Sequence, residues 1–213
     1  MNPLKAVIFD FGGVVSQAMG PVLAGIEGEF GIVPGTLLQL FYGGELWKAA
    51  EVGAMTYPDY VAACREGIRS HVGSTEVASR VWDRWYGSFY QPTFMPGVLD
   101  IVHALQGQVR VAMLSNASPG MEERLRDQFR VAHLFDPLIS SATIGVAKPD
   151  ARAFEITLER VGLLAEECFF VDDTEVNVTA AARLGIRAHH FQDAGALRAA
   201  LEGEGIRLAT TPS

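Results

Sequence analysis

Short apolar runs alternate with longer amphipathic segments along this 213-residue chain, and this alternation constrains the fold more than any other feature. The runs are rich in β-branched and aromatic residues and lie at residues 5–9, 109–114, 138–140, 168–171 and, more weakly, 186–191. Several of the segments between them, such as 118–130 and 151–161, repeat apolar residues at helical spacing. Strands that alternate with helices form a parallel sheet with helices on both faces. We therefore predict an α/β fold with a doubly wound, Rossmann-like core.

Residues 16–93 interrupt this alternation. They contain few strand-like runs, and their helix-like stretches lie at residues 34–42, 57–71 and 74–89. We predict a small α-helical cap domain, inserted after the first strand, with Pro92 and Pro96-Gly97 marking the return to the core. The predicted domains are a discontinuous core at 1–15 and 94–205, a cap at 16–93, and a small polar C-terminal tail at 206–213.

Composition narrows the range of partners. The formal net charge is −8 and the 17 Lys and Arg residues are scattered, which argues against binding to nucleic acid. No run approaches the roughly 18 apolar residues of a membrane span, and the N-terminus lacks the pattern of a signal peptide. Cys64 and Cys168 have no metal-site spacing, so we expect buried free thiols. We expect a cytoplasmic monomer or homodimer.

Aromatic residues recur at three- and four-residue spacing near the end of the cap segment, at Trp82, Trp85, Tyr86 and Phe89. This spacing predicts that they pack in the cap core or between cap and core. We place His189 and His190 after the last strand, and they have no acidic or cysteine partners at metal-site spacing, so we assign them a structural or exposed role.

Acidic side chains follow two of the predicted strands. Asp10 comes directly after the first apolar run, and Asp172-Asp173 ends the fourth. Ligands of parallel sheets bind beyond the carboxyl ends of the strands, so these side chains should meet at one edge. Adjacent buried carboxylates repel one another unless a cation neutralises them, and their oxygen atoms suit Mg²⁺. The alternative is that Asp173 or Thr174 caps the next helix, and both readings are compatible.

Groups suited to an anion follow the second strand and precede a later helix. Ser115-Asn116 ends an apolar run just before a helix predicted to begin near Ser118, where a hydroxyl and free backbone N–H groups bind anions. Lys148 supplies a positive charge, and Pro149 is predicted to occupy the first turn of the next helix. A plain helix cap at Ser115 remains the alternative.

These segments, in this order, resemble the four motifs of the haloacid dehalogenase-like hydrolase superfamily. The matching sequences are Asp-Phe-Gly-Gly-Val at 10–14, Leu-Ser-Asn at 114–116, Lys-Pro at 148–149 and Val-Asp-Asp-Thr-Glu-Val-Asn at 171–177. The likeness spans residues 6 to about 191, and the insertion after the first motif is similar to that superfamily's first class of cap. The resemblance implies a hydrolase, and most directly a phosphatase acting on a small phosphorylated metabolite.

The resemblance also implies a metal site and a nucleophile. Asp10 would attack phosphorus to give an aspartyl-phosphate that water later hydrolyses. Mg²⁺ would be held by the Asp10 carboxylate, the backbone carbonyl of Gly12 and the acidic pair, with Asp173 as the direct ligand and Asp172 as the outer one. The metal would shield the nucleophile from the charge of the phosphate.

The same resemblance implies a phosphate site. The Ser115 hydroxyl, the backbone of Asn116 and the Lys148 ammonium would hold the phosphoryl oxygens, where positioning and electrostatics contribute most to catalysis. Asn177, one helical turn beyond Asp173, would support the acidic loop.

One position departs from the phosphatase pattern. Phosphatases of this superfamily usually carry a second aspartate two residues after the nucleophile, as general acid and base, and Gly12 stands there in this chain. Three alternatives therefore stay open. They are displacement at carbon by a haloacid dehalogenase, phosphonate hydrolysis through a Schiff base on Lys48 in the cap, and a catalytically impaired module that binds phosphate.

Overall fold

The computed structural model describes residues 3–89, 91 and 93–208, which form a parallel sheet flanked by helices. The strands are β1 (Ala6–Phe9), β2 (Arg110–Ser115), β3 (Leu138–Ser140), β4 (Cys168–Asp172) and β5 (Arg187–His190). Their order is β3-β2-β1-β4-β5, and every neighbouring pair is parallel. Central β1 therefore lies between β2 and β4. The predicted α/β fold with a parallel sheet is confirmed.

Helices occupy the insertion between β1 and β2, as predicted. They are α1 (Gly20–Phe30), α2 (Thr36–Leu38), α3 (Glu45–Glu51), α4 (Tyr57–Val72) and α5 (Thr75–Phe89). A π-helical turn at Gln39–Gly43 extends α2. Helix α1 was not predicted, because three glycines and a weak apolar stripe hide its periodicity. These five helices form the cap region.

The remaining helices cover the sheet. They are α6 (Val98–Leu105), α7 (Met121–Glu123), α8 (Ser141–Ile144), α9 (Ala151–Val161), α10 (Glu175–Arg183) and α11 (Ala194–Gly203), with 3-10 turns at Ala132–Leu134 and Ala165–Glu167. In the described part of the chain, no helix combines the length and the apolarity that a membrane span requires.

Two helix starts differ from the sequence prediction. Residues 118–130 do not form one helix, because Gly120 adopts a left-handed φ of 82° and α7 begins only at Met121, followed by a π-helical turn at Arg124–Gln128. Pro149 does not occupy the first turn of α9. That helix begins at Ala151, where Asp150 caps it by accepting a hydrogen bond from the Arg152 N–H.

Three hydrophobic clusters stabilise these elements. Alternate residues of β1 point to opposite faces of the sheet, so Val7 and Phe9 pack in one cluster and Ala6 and Ile8 in another. A third cluster lies within the cap and contains Trp82 and Trp85, as their spacing predicted. The cap thus has an apolar core separate from those of the sheet.

The two cysteines agree with the sequence prediction, whereas the C-terminal residues do not. Cys64 and Cys168 are buried free thiols, as expected. Ile206 and Leu208, assigned to a polar tail, are instead buried against the sheet cluster. Pro92, predicted to mark the return to the core, and residues 1–2 and 209–213 lie outside the described residues, so the proposed domain boundaries stay predictions.

Candidate active site

Three carboxylates converge at the carboxyl edge of the sheet. Asp10 follows β1, Asp172 ends the adjacent β4, and Asp173 comes next in the chain. One oxygen from each lies within 4.8 Å of the other two. The backbone N–H of Asp10 donates to the Val171 carbonyl over 2.9 Å, so hydrogen bonding between the central strands fixes this spacing. Asp172 is fully buried and Asp10 is 8% exposed.

A single buried ammonium group pairs with two of these carboxylates. The Nζ atom of Lys148 lies 2.6 Å from Asp172 Oδ2 and 2.9 Å from Asp10 Oδ1, and its side chain is 1% exposed. Asp172 also accepts hydrogen bonds from the Thr174 N–H, at 2.8 Å, and from Asn177 Nδ2, at 3.1 Å to both oxygens. Both oxygens of Asp172 are therefore engaged, while Asp173 stays partly exposed beside Asp10.

Burial dominates the electrostatics of this cluster. It raises the pKa of Asp10 to about 6; Lys148 opposes the rise and the charge of Asp172 adds to it. Burial and the neighbouring Asp172 also raise the pKa of Asp173. For Lys148, burial lowers the pKa, but the attraction of Asp10 and Asp172 outweighs it and the pKa is raised. One ammonium group does not balance three carboxylates, so the cluster favours a further cation.

Two glycines form the turn after Asp10, and the Asp173 side chain packs against one of them. Gly13 has a φ of 82°, and a Cβ added there would lie 2.0 Å from Asp173 Oδ2. Gly12 has open space, because a Cβ added there meets no atom within 4 Å in the part of the chain that the structure describes. The chain therefore needs glycine at position 13 for close approach, whereas position 12 has room for a side chain.

The close approach at Gly13 leads to a stability prediction. We expect Gly13→Ala to lower the free energy of unfolding more than Gly31→Ala does. Gly31 has a similar φ of 67°, but no atom of the described residues lies within 4 Å of an added Cβ. Its substitution therefore measures only the cost of a left-handed backbone with a side chain, about 1–2 kcal/mol. The clash with Asp173 should add about 1–2 kcal/mol in denaturant unfolding. Equal losses in the two variants would show that Asp173 moves aside freely.

Ser115 and Asn116 lie beside Lys148 at the end of β2. The Ser115 side chain is buried and faces the same cavity as Asp10 and Lys148. Asn116 Nδ2 donates to the Lys148 carbonyl, and the Lys148 N–H donates to Asn116 Oδ1, both over 2.8 Å. This reciprocal pair fixes the backbone of Lys148. Only the backbone of Asn116 was predicted from the motif to act, and this role of its side chain was missed.

A cavity of about 1060 Å³ opens from this cluster towards the cap. Asp10, Ser115, Lys148 and Asp173 line its base, and aromatic and aliphatic side chains of the cap line the opposite wall. Arg124 also lines the cavity. Its guanidinium carbon lies 5.0 Å from the ring centre of Tyr57 and 5.2 Å from that of Phe89, both in the cap. The sequence did not predict this residue, because these contacts join segments that are distant in the chain.

Three other residues that the sequence singled out, Lys48, His189 and His190, lie outside the carboxylate cluster. Lys48 is 62% exposed and bonds to Glu45, which raises its pKa, whereas Schiff-base chemistry needs a neutral amine. His189 and His190 end β5 rather than follow it. His190 Nε2 lies 2.9 Å from the Asp173 carbonyl oxygen, next to the acidic loop.

The chain is similar to a family of known hydrolases and to several curated proteins. The family model described as haloacid dehalogenase-like hydrolase matches residues 4–185. A sesquiterpene phosphatase of Aspergillus oryzae is 30% identical over 89% of this chain and 90% of its own length. Acyl-CoA dehydrogenase family member 10 of Mus musculus is 28% identical over 85% of this chain, which spans 17% of that protein.

A solved structure shares the fold. A haloacid dehalogenase family enzyme of Bacteroides thetaiotaomicron, in complex with magnesium and inorganic phosphate, superposes with a TM-score of 0.67. It is 23% identical to this chain, and the match covers 89% of this chain and 94% of that one.

Proposed function

The chain belongs to the haloacid dehalogenase-like hydrolases, and we propose that it is a Mg²⁺-dependent phosphatase that hydrolyses a small phosphorylated metabolite through an aspartyl-phosphate. The observation that carries this proposal is the position of Asp10, which shares one buried edge with the ammonium of Lys148 and with Asp173. The name of the Aspergillus oryzae relative supports phosphatase chemistry.

The donor set fits a hard divalent cation. Among the described residues, three carboxylates lie together with one ammonium, and burial, with a smaller contribution from the charge of Asp172, raises the pKa of Asp10. We assign Asp10, Asp173 and the backbone carbonyl of Gly12 as direct ligands. Asp172 is the outer member, because Lys148, Thr174 and Asn177 already occupy its oxygens. When bound, the cation supplies positive charge that lowers the repulsion between the nucleophile and the phosphoryl group.

The chain's own residues carry the rest of the reaction. A carboxylate oxygen of Asp10 forms a bond to phosphorus while the bond from phosphorus to the leaving alkoxide breaks. Lys148 and the Ser115 hydroxyl bind the phosphoryl oxygens, and Asn116 and Asn177 position Lys148 and Asp172. Water then attacks the aspartyl-phosphate, which releases inorganic phosphate and regenerates Asp10.

Hydrolysis of p-nitrophenyl phosphate tests the proposal, because that leaving group hardly needs protonation. With Mg²⁺ we expect release of p-nitrophenol at neutral pH, and with a chelator we expect that release to fall by about 100-fold or more. Absence of hydrolysis from pH 5 to pH 9 would instead indicate a module that binds phosphate without turnover. Metal-independent halide release from a 2-haloacid would indicate a dehalogenase.

The open space at Gly12 leads to a prediction about the missing general acid. We expect Gly12→Asp to raise kcat on alkyl phosphates about tenfold or more, because alkoxides are poor leaving groups and general acids commonly contribute about 10²–10⁴-fold. The structure has room for the first atom of this side chain, since an added Cβ meets no atom of the described residues within 4 Å. Gly12→Asn is the matched control, equal in size but unable to transfer the proton. An unchanged rate for Gly12→Asp would show that another group already supplies it.

A further inference from the structure

We propose that the substrate is the phosphate monoester of a bulky apolar alcohol, bound with its hydrocarbon part against the cap. This inference rests on the proposed phosphatase activity and specifies the substrate class for the same site. It depends on the cavity that joins the carboxylate cluster to the cap, whose volume of about 1060 Å³ far exceeds that of a phosphate group.

The cap side of this cavity is mainly apolar, and its polar lining residues on α5 are Asp83, Arg84 and Ser88. Its apolar side chains come from α1, from α2 and the π-helical turn after it, and from α3 to α5. The principal ones are Leu38, Tyr42, Trp47, Tyr60, Trp85 and Phe89. The core adds Phe11 and Phe129, whose rings stack with centres 6.2 Å apart. Such walls bind hydrocarbon chains and rings because burial removes apolar surface from water.

Polar atoms of the aromatic wall are engaged or buried. The Tyr60 hydroxyl donates to the Phe41 carbonyl over 2.6 Å, and the Trp47 side chain hydrogen-bonds to Glu51. The Tyr42 hydroxyl and the Trp85 indole N–H are buried, and neither makes a well-formed hydrogen bond to another described residue. Burial raises the pKa of Tyr42, and the nearby Trp85 offsets part of that rise. The wall therefore presents ring faces to a ligand.

The positive charge of Arg124 is also engaged. Its guanidinium packs over Tyr57 and Phe89 and donates hydrogen bonds to the Pro119 carbonyl, at 3.2 Å, and to the Ser118 hydroxyl, at 3.3 Å. It therefore packs between the cap and the core at the edge of the cavity. Several other polar lining residues lie on the two joints between cap and core, namely Ser16, Gln17, Gln91 and Thr93.

These features predict that apolar leaving groups raise the affinity of the ligand and that polar leaving groups lower it. Hydroxyl groups of a sugar placed against the wall would lose their hydrogen bonds to water without replacement. Each methylene buried there should improve affinity by about two- to fourfold. Affinity should therefore rise with the length of an alkyl chain until the chain fills the cavity.

Binding of n-alkylphosphonates tests this independently of turnover, because they carry no hydrolysable ester. We would titrate ethyl-, butyl-, hexyl- and octylphosphonate into the wild-type protein with Mg²⁺ by calorimetry. Octylphosphonate should bind more than about tenfold tighter than ethylphosphonate, and a difference of about tenfold or less would overturn the inference.

Two variants localise the effect to the cap wall. Leu38 lines the cavity and is 44% exposed, so Leu38→Asn should weaken octylphosphonate binding about threefold or more and leave ethylphosphonate binding unchanged. Val33, 73% exposed in the same region but outside the cavity lining, is the matched control, and Val33→Asn should change neither. Equal effects of the two variants would overturn the assignment to this wall.

Rates of hydrolysis of an apolar and a polar phosphate ester test the apolar substrate separately from the phosphatase activity. Octyl phosphate and glucose 6-phosphate are both esters of primary alcohols, so kcat/KM should favour octyl phosphate by more than about tenfold. Hydrolysis of both without that preference would overturn the apolar substrate and leave the phosphatase intact. Chain-length-dependent binding without hydrolysis of any ester would overturn the phosphatase and leave the apolar ligand.

Discussion

Replacing Asp10 by asparagine is expected to lower hydrolysis of p-nitrophenyl phosphate by about 10³-fold or more, because the amide cannot attack phosphorus. The side chain has the same size, so the shape of the edge between β1 and β4 should be preserved. The measurement is the steady-state rate with Mg²⁺, together with acid quenching to trap a phosphorylated protein. We expect a trapped phosphoryl group in the wild type and none in Asp10→Asn.

Asp83→Asn is the matched control for this variant. Asp83 also lines the cavity, but it is exposed on the cap helix α5 and stands outside the carboxylate cluster. We expect its rate to stay within about threefold of the wild type. A rate for Asp10→Asn comparable to that of Asp83→Asn would rule out Asp10 as the nucleophile.

The pKa of Asp10 predicts that this inactive variant stays folded. Its pKa is about 6 in the folded protein and 3.8 in the reference state, so the folded protein favours the protonated form. Any stability from this group is present below pH 3.8 and is lost as pH rises through 6. In metal-free protein at pH 7, Asp10→Asn should therefore unfold at the same denaturant concentration or a higher one. A large fall in that denaturant concentration would contradict burial as the main cause of the raised pKa of Asp10.

Replacing Lys148 by methionine is expected to reduce both stability and activity. The substitution leaves Asp10 and Asp172 buried without their ammonium partner, and breaking a buried ion pair in this way costs about 3–5 kcal/mol. Hydrolysis should fall as well, because the phosphoryl oxygens lose a positive donor. The measurements are denaturant unfolding of the metal-free protein and the rate on p-nitrophenyl phosphate.

Lys5→Met provides the comparison for Lys148→Met. Lys5 makes a 2.6 Å ion pair with Glu167, but its side chain is 51% exposed, so the same substitution should cost less than about 1 kcal/mol. We also expect Mg²⁺ to restore part of the stability of Lys148→Met, since a cation replaces part of the missing charge. Similar losses in the two variants would show that the buried cluster tolerates its excess negative charge.

Strands were the easiest elements to predict, because buried parallel strands are apolar on both faces. The run at residues 168–171 matches β4 to within one residue, and the short run at 138–140 matches β3. Helix α1 was missed because its stability comes from packing in the cap and from its buried Glu27, which accepts hydrogen bonds from the Gly35 and Leu37 N–H groups. Contacts between segments of this kind leave no local pattern in the sequence.

For the candidate site, the motifs indicated which residues converge but not how they bond to one another. Asp10 and Asp173 could be placed at one edge because strand ends of a parallel sheet share it. The two hydrogen bonds between Asn116 and the backbone of Lys148 depend on a loop geometry that spacing does not encode. The packing of Arg124 on Tyr57 and Phe89 joins cap to core and likewise appears only in three dimensions.

The separate hydrophobic cluster of the cap has an evolutionary consequence. Its buried residues, such as Phe41 and Trp85, pack among themselves and belong to neither sheet cluster. Mutations that reshape the aromatic wall therefore spare the strand pairing that holds Asp10 beside Asp172. Proteins with this architecture can therefore evolve new ligand preferences through substitutions in the cap helices, while the sheet edge that carries Asp10 is conserved.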